Sequence, residues 1–402
     1  MKKITLPLLL VAALFAEKST AQSNKAYAFT GETKGTYIWT AIREIDLSNG
    51  SVIRTLYSNN DAPNVSYTFI NNDWGAQKVN PSNLTPTING VAAAAFDEKN
   101  NRLYFTPMWG NDLRYVDLNS KNISVVVNSD ANFSTGKHVD ESNVITRMVI
   151  GADGNGYALT NDANNFIQFT TGKNPVITNL GALIDSKNNN GISVHTQCTS
   201  WGGDLIADVY GNLYLFAYRG HVFKINPTTR IAEHLGVVKN LPENYTINGA
   251  AVDANGDVFV TSATLTTGYY KVNLSTLNAT AIIKSENEAV YNASDLASSN
   301  LAYRDAKNTP VTNVVRNNGI AIYPNPVVNK TFAIQFDKMT AGNYTIEISD
   351  INGKKVIAKT LNINGVQNEK INMPKSSATG LYFIKVVNSN GNAVYTDKFV
   401  VE

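Results

Sequence analysis

The chain has 402 residues, with 34 Lys and Arg against 32 Asp and Glu for a net charge of +2, and only 16% of its residues are charged. This near-neutral balance without any Lys/Arg run excludes a nucleic-acid binder, which needs a concentrated basic patch. A single cysteine, Cys198, excludes an internal disulfide framework, and 43% hydrophobic residues exclude a disordered chain.

At the N-terminus, Lys2 and Lys3 precede an apolar run over 6–16, and Ser19, Thr20 and Ala21 supply small residues for cleavage. Residues 1–21 are therefore expected to be a secretory signal peptide cut before Gln22. That run falls well short of the roughly 20 residues that span a bilayer, and no other stretch approaches the length. No integral membrane segment is expected in the mature chain.

Residues 22–305 carry a degenerate repeat with two halves. The first half is an apolar strand, an Asp-containing turn and an aromatic strand, seen four times: 91–97 with 102–105, 148–153 with 156–159, 205–208 with 212–216, and 250–253 with 257–260. The second half is another hairpin, seen five times: 43–47 with 51–56, 113–118 with 123–127, 166–169 with 176–180, 221–226 with 230–235, and 269–274 with 280–284. Four strands per unit at a period of about 50 residues predict β-propeller blades. The missing first half is supplied if the N-terminal strand over 25–30 and the leftover segment 293–297 complete one shared blade, which closes the ring and removes its edges. The fold class is therefore all-β, a five-bladed propeller. Six blades are the alternative, with the sixth hidden in the poorly patterned residues 59–87.

The connections from an outer strand to the next inner strand cross one face of such a ring, and long ones build binding sites. Here they are 57–88, 128–144, 181–203, 236–247 and 285–292. The first three are long and supply the candidate ligand-binding residues Asp61, Tyr67, Trp74, His138, Asp140, Glu141, His195 and Trp201. Arg147 and Asp204, at the starts of inner strands, are placed to face the channel. Aromatic and polar groups of this kind suit a glycan or peptide ligand. Cys198 is expected to be a small buried residue.

No metal and no cofactor is called for. The runs Asp153-Gly-Asn-Gly and Asp253-Ala-Asn-Gly-Asp place oxygen ligands at alternate positions, yet a calcium loop of the EF-hand type needs Gly and Glu where Val258 and Thr264 stand. Tight-turn chemistry explains these runs instead. The four histidines form no compact metal pattern, and there is no Gly-x-Ser-x-Gly elbow and no phosphate-cradling loop.

After a polar linker expected over 306–319, containing Pro310, residues 320–402 alternate as short strands separated by Gly, Asn and Pro turns, the pattern of a small Ig-like β-sandwich. Pro324 and Pro326 cannot donate ladder hydrogen bonds and suit an edge strand. The linker predicts loose coupling between the two domains. The segment contains Tyr323-Pro324-Asn325-Pro326, Gly342-x-Tyr344, Gly353-Lys354, Gly380-Leu381-Tyr382 and the terminal Lys398-Phe399-Val400-Val401. In order, spacing and position it resembles the C-terminal sorting domain of cargo of the Bacteroidetes type IX (Por) secretion system.

The resemblance implies handling by the Sec translocon and then by the type IX machinery. It further implies removal of the tail, and release of the cargo or its attachment to the cell surface. For the propeller, the leading expectation is a binding module for an extracellular glycan or peptide. The alternative is a hydrolase or lyase using carboxylates such as Asp61, Asp140, Glu141 or Asp204 near the axis.

Overall fold

The computed structural model describes residues 24–71, 75–79, 86–110, 112–120, 124–133, 139–172, 174–282, 289–303, 319–336, 339–365 and 367–401. The signal peptide expected over 1–21 lies outside them, as does the linker expected over 306–319 apart from Gly319. Five sheets, each built on four antiparallel strands, form the propeller. Blade one is the composite, in the order Ala293–Ala297, Lys25–Thr30, Ala41–Asp46, Ser51–Tyr57. The C-terminal strand is innermost and pairs with the N-terminal one, Tyr27 opposite Ala297 and Ala28 opposite Leu296. Closure thus happens as expected, and it joins the two ends of the domain by main-chain hydrogen bonds.

Blade two runs Val91–Asp97, Arg102–Pro107, Asp112–Asp117, Ser124–Asn132 outward from the axis, and blade three runs Ile145–Ile150, Gly156–Thr160, Phe166–Phe169, Ile177–Gly181. Blade four runs Asp204–Ala207, Leu213–Phe216, His221–Ile225, Ile231–Val237, and blade five runs Gly249–Val252, Val258–Thr261, Tyr270–Asn273, Asn278–Ala281. The sixth-blade alternative fails on topology. Ser66–Asn71 pairs in parallel with the outer strand of blade two, Tyr67 opposite Val125, and Gly75–Val79 pairs beyond it. The segment that looked poorly patterned widens an existing blade to six strands. Its register follows a neighbouring sheet, so it carries no inner-strand signature of its own.

Small residues explain how five inner strands can meet. Ala93, Ala94 and Ala95 of blade two and Ala250 and Ala251 of blade five are buried with almost no exposed area. Together with Leu205, Ile206 and Leu296 they leave only about 10 Å³ at the axis, room for no more than a single water molecule. The apolar faces between adjacent blades form the core. Tyr27, Phe29, Phe105 and Val125 pack between blades one and two, and Leu159, Phe166, Leu205 and Phe223 between blades three and four.

The C-terminal domain is a sandwich of seven strands in the order Lys355–Ile363, Gly342–Asp350, Gly380–Asn388, Ala393–Val401, Ile320–Val328, Thr331–Phe336, Gln367–Asn372. The strand carrying Tyr323-Pro324-Asn325-Pro326 links its two halves. Its first part pairs with Thr331–Phe336, and Val327 then pairs with Val401. Asn325 Oδ1 accepts a hydrogen bond from the Val400 amide at 3.0 Å. The start and the end of the tail are thereby brought side by side. The strand Gln367–Asn372 escapes sequence reading because its run Gln-Asn-Glu-Lys-Ile-Asn is polar at almost every position.

Loose coupling of the two domains is not what the structure displays. Tyr323, Ala321 and Ala333 of the tail pack against Ala152 of blade three, with Tyr323 1% exposed. The Gln335 amide donates to Asp153 Oδ2 at 3.3 Å, and the Lys370 ammonium lies 5.3 Å from the Tyr210 ring centroid. These propeller residues all belong to the turns between first and second strands. The tail therefore docks on the face opposite the long loops.

Candidate functional site

On the other face, the loops preceding each inner strand and the loops following each second strand surround one cavity of about 450 Å³, a size suited to a small ligand. Its wall is uneven in chemistry. Blade four contributes Gln197, Cys198, Trp201, Tyr218 and Arg219; blade one contributes Trp39 and Ser294; blade two contributes Ala92 and Met108; blade three contributes Glu141, Thr146 and Asn161. Tyr218 is 41% exposed, and Tyr37, Ile38 and Trp109, on the same loops as Trp39 and Met108, are exposed as well. An aromatic rim of this kind offers flat faces to a ligand above a partly polar floor.

Most floor polar groups are already engaged. Asn161 Oδ1 accepts from the Gly202 amide and the Thr146 hydroxyl, and its Nδ2 donates to the Glu141 carbonyl. Trp39 Nε1 donates to the Ala263 carbonyl, Asn248 Oδ1 accepts from the Ala263 amide, and Ser294 donates to the Val91 carbonyl. Gly203 sets the floor on blade four. It holds φ +87°, and a Cβ there would stand 1.8 Å from the Phe216 carbonyl oxygen, so only glycine fits.

Two charged features lie beneath the floor. Arg147 is fully buried, and each of its three side-chain nitrogens donates to carbonyl oxygens: Gly202 at 3.0 Å, Thr160 at 2.6 Å, Asn161 at 3.1 Å and Ser200 at 2.5 Å. Burial lowers its guanidinium to about 9, against the pull of Asp162 and Asp204. It clamps blade three to the loop that leads into blade four. At the axis, Asp204 of blade four and Asp295 of blade one are both wholly buried. Asp204 accepts from the amides of Leu205 and Ala250, each at 2.7 Å, and more weakly from Leu296 at 3.4 Å. Burial pushes both carboxyls well above the usual range, and the charge of Asp204 pushes Asp295 further. Three amides favour the charged form of Asp204, whereas burial and the neighbouring Asp204 charge and hydrogen bond both raise Asp295, so Asp295 is the group that keeps its proton.

The candidate residues of the sequence reading scatter accordingly. Glu141 and Trp201 line the cavity, and Asp204 lies under it. Asp140 caps the short 3-10 turn Glu141–Asn143, accepting from the Ser142 amide at 3.0 Å. Asp61 does the same kind of work, accepting from the amide and hydroxyl of Ser58. Tyr67 is buried between blades one and two. Both ring nitrogens of His195 face carbonyl oxygens, Asp162 at 2.8 Å and Leu183 at 3.1 Å, which fixes the loop. Trp74 and His138 lie outside the described residues. Cys198, expected to be buried, is exposed in the cavity wall on the short helix Gln197–Ser200. Trp39, Met108, Tyr218 and Arg219 were missed because they sit on the loops following second strands, which open to the same face.

The Asp-rich turns on the opposite face close on themselves. Asp253 accepts from the amides of Asn255 and Asp257, and Asp208 from those of Tyr210 and Asn212. Their carboxylates serve as turn acceptors.

Fold and site together define a five-bladed propeller with an open cavity on one face and a C-terminal sorting domain on the other. Residues 321–402 match the family of secretion system C-terminal sorting domains, the Por secretion tail. A tail of this family implies handling by the type IX machinery and export to the cell surface or beyond; among the described residues no helix is long and apolar enough to cross a membrane. No curated protein matches the chain. Among solved structures it is similar to PorZ, an essential surface component of the type IX system of Porphyromonas gingivalis, at 15% identity and TM-score 0.33, over 94% of this chain and 51% of that one. The chain thus spans about half the length of PorZ. It is also similar to a Bacteroides thetaiotaomicron protein of unknown function (14% identity, TM-score 0.38, 75% and 73% of the two chains) and to a streptogramin B lyase (12%, 0.35, 67% and 86%). No functional conclusion follows from likenesses of this size.

Proposed function

We propose that the protein is type IX cargo whose propeller binds an extracellular glycan in the 450 Å³ cavity. The observation that carries this reading is the aromatic rim of Trp39, Trp201 and Tyr218 around a cavity on the face away from the tail. Sugar rings present faces of C–H groups, and flat aromatic side chains bury those faces while leaving the hydroxyls free to bond at the edges. A tail docked on the opposite face leaves the cavity open before and after export. In this reading residues 1–21 direct the chain through the Sec translocon, and the mature protein is released or held at the surface.

The hydrolase or lyase reading gains less support. The two carboxyls that converge from different blades, Asp204 and Asp295, have no exposed area and no path to substrate. Screening the full chain against a glycan array, with product analysis of every retained glycan, tests the proposal. Retention weakened about five- to a hundredfold by Trp201→Ala or Tyr218→Ala is expected, since stacking on one aromatic ring contributes about 1–3 kcal/mol. Absence of retention on every glycan, or cleavage of a retained one, overturns it.

A further inference from the structure

We infer that the cavity selects an acidic saccharide, a sugar whose ring carries a carboxylate, and that Arg219 is the residue that selects it. The inference rests on the glycan-binding reading and adds to it the charge of the ligand.

The argument starts from which groups are free. Asn161, Ser294, Trp39 Nε1 and Asn248 Oδ1 are engaged inside the protein. What remains on the blade-four wall is the exposed Arg219 guanidinium, which has no hydrogen-bond or ion-pair partner among the described residues, the Gln197 amide, and Trp201 Nε1, which is buried without a partner. Arg219 and Trp201 Nε1 can only donate, and the Gln197 amide can donate as well as accept. They stand beside Tyr218, whose ring is exposed for stacking. A planar guanidinium next to an aromatic face matches a carboxylate attached to a sugar ring, because the fork donates two parallel bonds while the ring packs alongside.

The opposite side supplies the orientation. Glu141 belongs to blade three, lines the same cavity and is exposed. Its carboxylate accepts from hydroxyls and repels another carboxylate. A ligand with an acid group at one edge and hydroxyls at the other fits one way round, acid toward Arg219 and hydroxyls toward Glu141. A neutral sugar offers Arg219 only hydroxyl oxygens, without the charge and the two parallel acceptors of a carboxylate.

The test uses the full chain with oligogalacturonate and oligoalginate, each compared by calorimetry with its carboxyl-reduced counterpart of equal length. The acid forms are expected to bind about tenfold more tightly, the scale of one charge-assisted bidentate contact. That ratio should fall toward one in Arg219→Gln and only partly in Arg219→Lys, which keeps the charge without the fork. Glu141→Gln should tighten the acid forms about two- to threefold by removing repulsion at partly screened range. A melting curve for each variant confirms that the fold is intact, as these side chains are exposed. Equal binding of acid and reduced forms, or preference for a sulfated saccharide, overturns the acidic-sugar inference and leaves glycan binding standing. Binding of a peptide carboxyl terminus with no saccharide retained overturns both.

Discussion

Arg147 organises the floor of the cavity by giving four carbonyl oxygens their donors. Replacing it by Met keeps much of the volume and strips those bonds. At about 1–3 kcal/mol for each buried acceptor left unpaired, partly relieved by relaxation, the loss should be on the order of 4 kcal/mol. Urea unfolding of Arg147→Met checks this, and a loss within ~1 kcal/mol would show that solvent reaches the carbonyls. The axial pair Asp204 and Asp295 gives the protein a pH dependence of definite sign. Their folded-state pKa values are raised above the unfolded value of about 3.9, so the native state binds more protons than the unfolded state between the two. Stability from this source is complete below about pH 4 and declines as pH climbs toward the raised values. Asp295→Asn places a permanent neutral donor beside Asp204. Melting temperatures of that variant should be higher than those of the parent at pH 8 and should vary less between pH 4 and 8. An unchanged slope would assign it to other groups.

At the scale of elements, the strand Ala293–Ala297 decides whether the ring is one cooperative unit. It is innermost in blade one, contacts the inner strands of blades two and five, and carries Asp295. A chain ending at residue 292 leaves the edge of Lys25–Thr30 unpaired, and open edges recruit other chains. Loss of a single sharp unfolding transition and growth of soluble aggregates by light scattering are the expected outcomes; a monomer with unaltered melting would refute them. The repeat was legible because every blade needs an apolar inner strand, so Val91–Asp97 and Gly249–Val252 announce themselves by composition. The strands Ser66–Asn71 and Gly75–Val79 were not, because an added outer edge has only to match the neighbour it pairs with. The cavity was half legible for a related reason. The lengths of 128–144 and 181–203 pointed to Glu141 and Trp201, while Trp39 and Arg219 sit on connections within a blade, Arg219 on one of only four residues, which draw no notice until the ring brings them to one face.

Over the whole molecule, the sorting tail and the cavity occupy opposite faces of the propeller. Deleting residues 320–402 is expected to leave the protein in the periplasm, checked by fractionation; its normal appearance outside the cell would refute the sorting role of the tail. The contact between domains has its own probe. Gly211 holds φ +80°, and a Cβ there would come within 2.6 Å of the Tyr323 hydroxyl. Gly211→Ala therefore strains the turn by about 1 kcal/mol and pushes Tyr323 away. Limited proteolysis in the region 304–318 should become faster than in the parent, and an equal rate would mean that the contact contributes little to holding the domains together. The sequence by itself determined the all-β class, the four-stranded repeat, the composite closing blade and the secretion tail, because each of these is written in local alternation, period and short motifs; that the ring has five blades and not six was decided by how Ser66–Asn71 pairs. Only the tertiary structure decided that Asp204 and Asp295 meet at the axis, that His195 and Asp61 are internal props, and that Arg219 stands free beside Tyr218. Those facts depend on which residues of different blades converge, and convergence across a closed ring leaves no trace in any single stretch of chain.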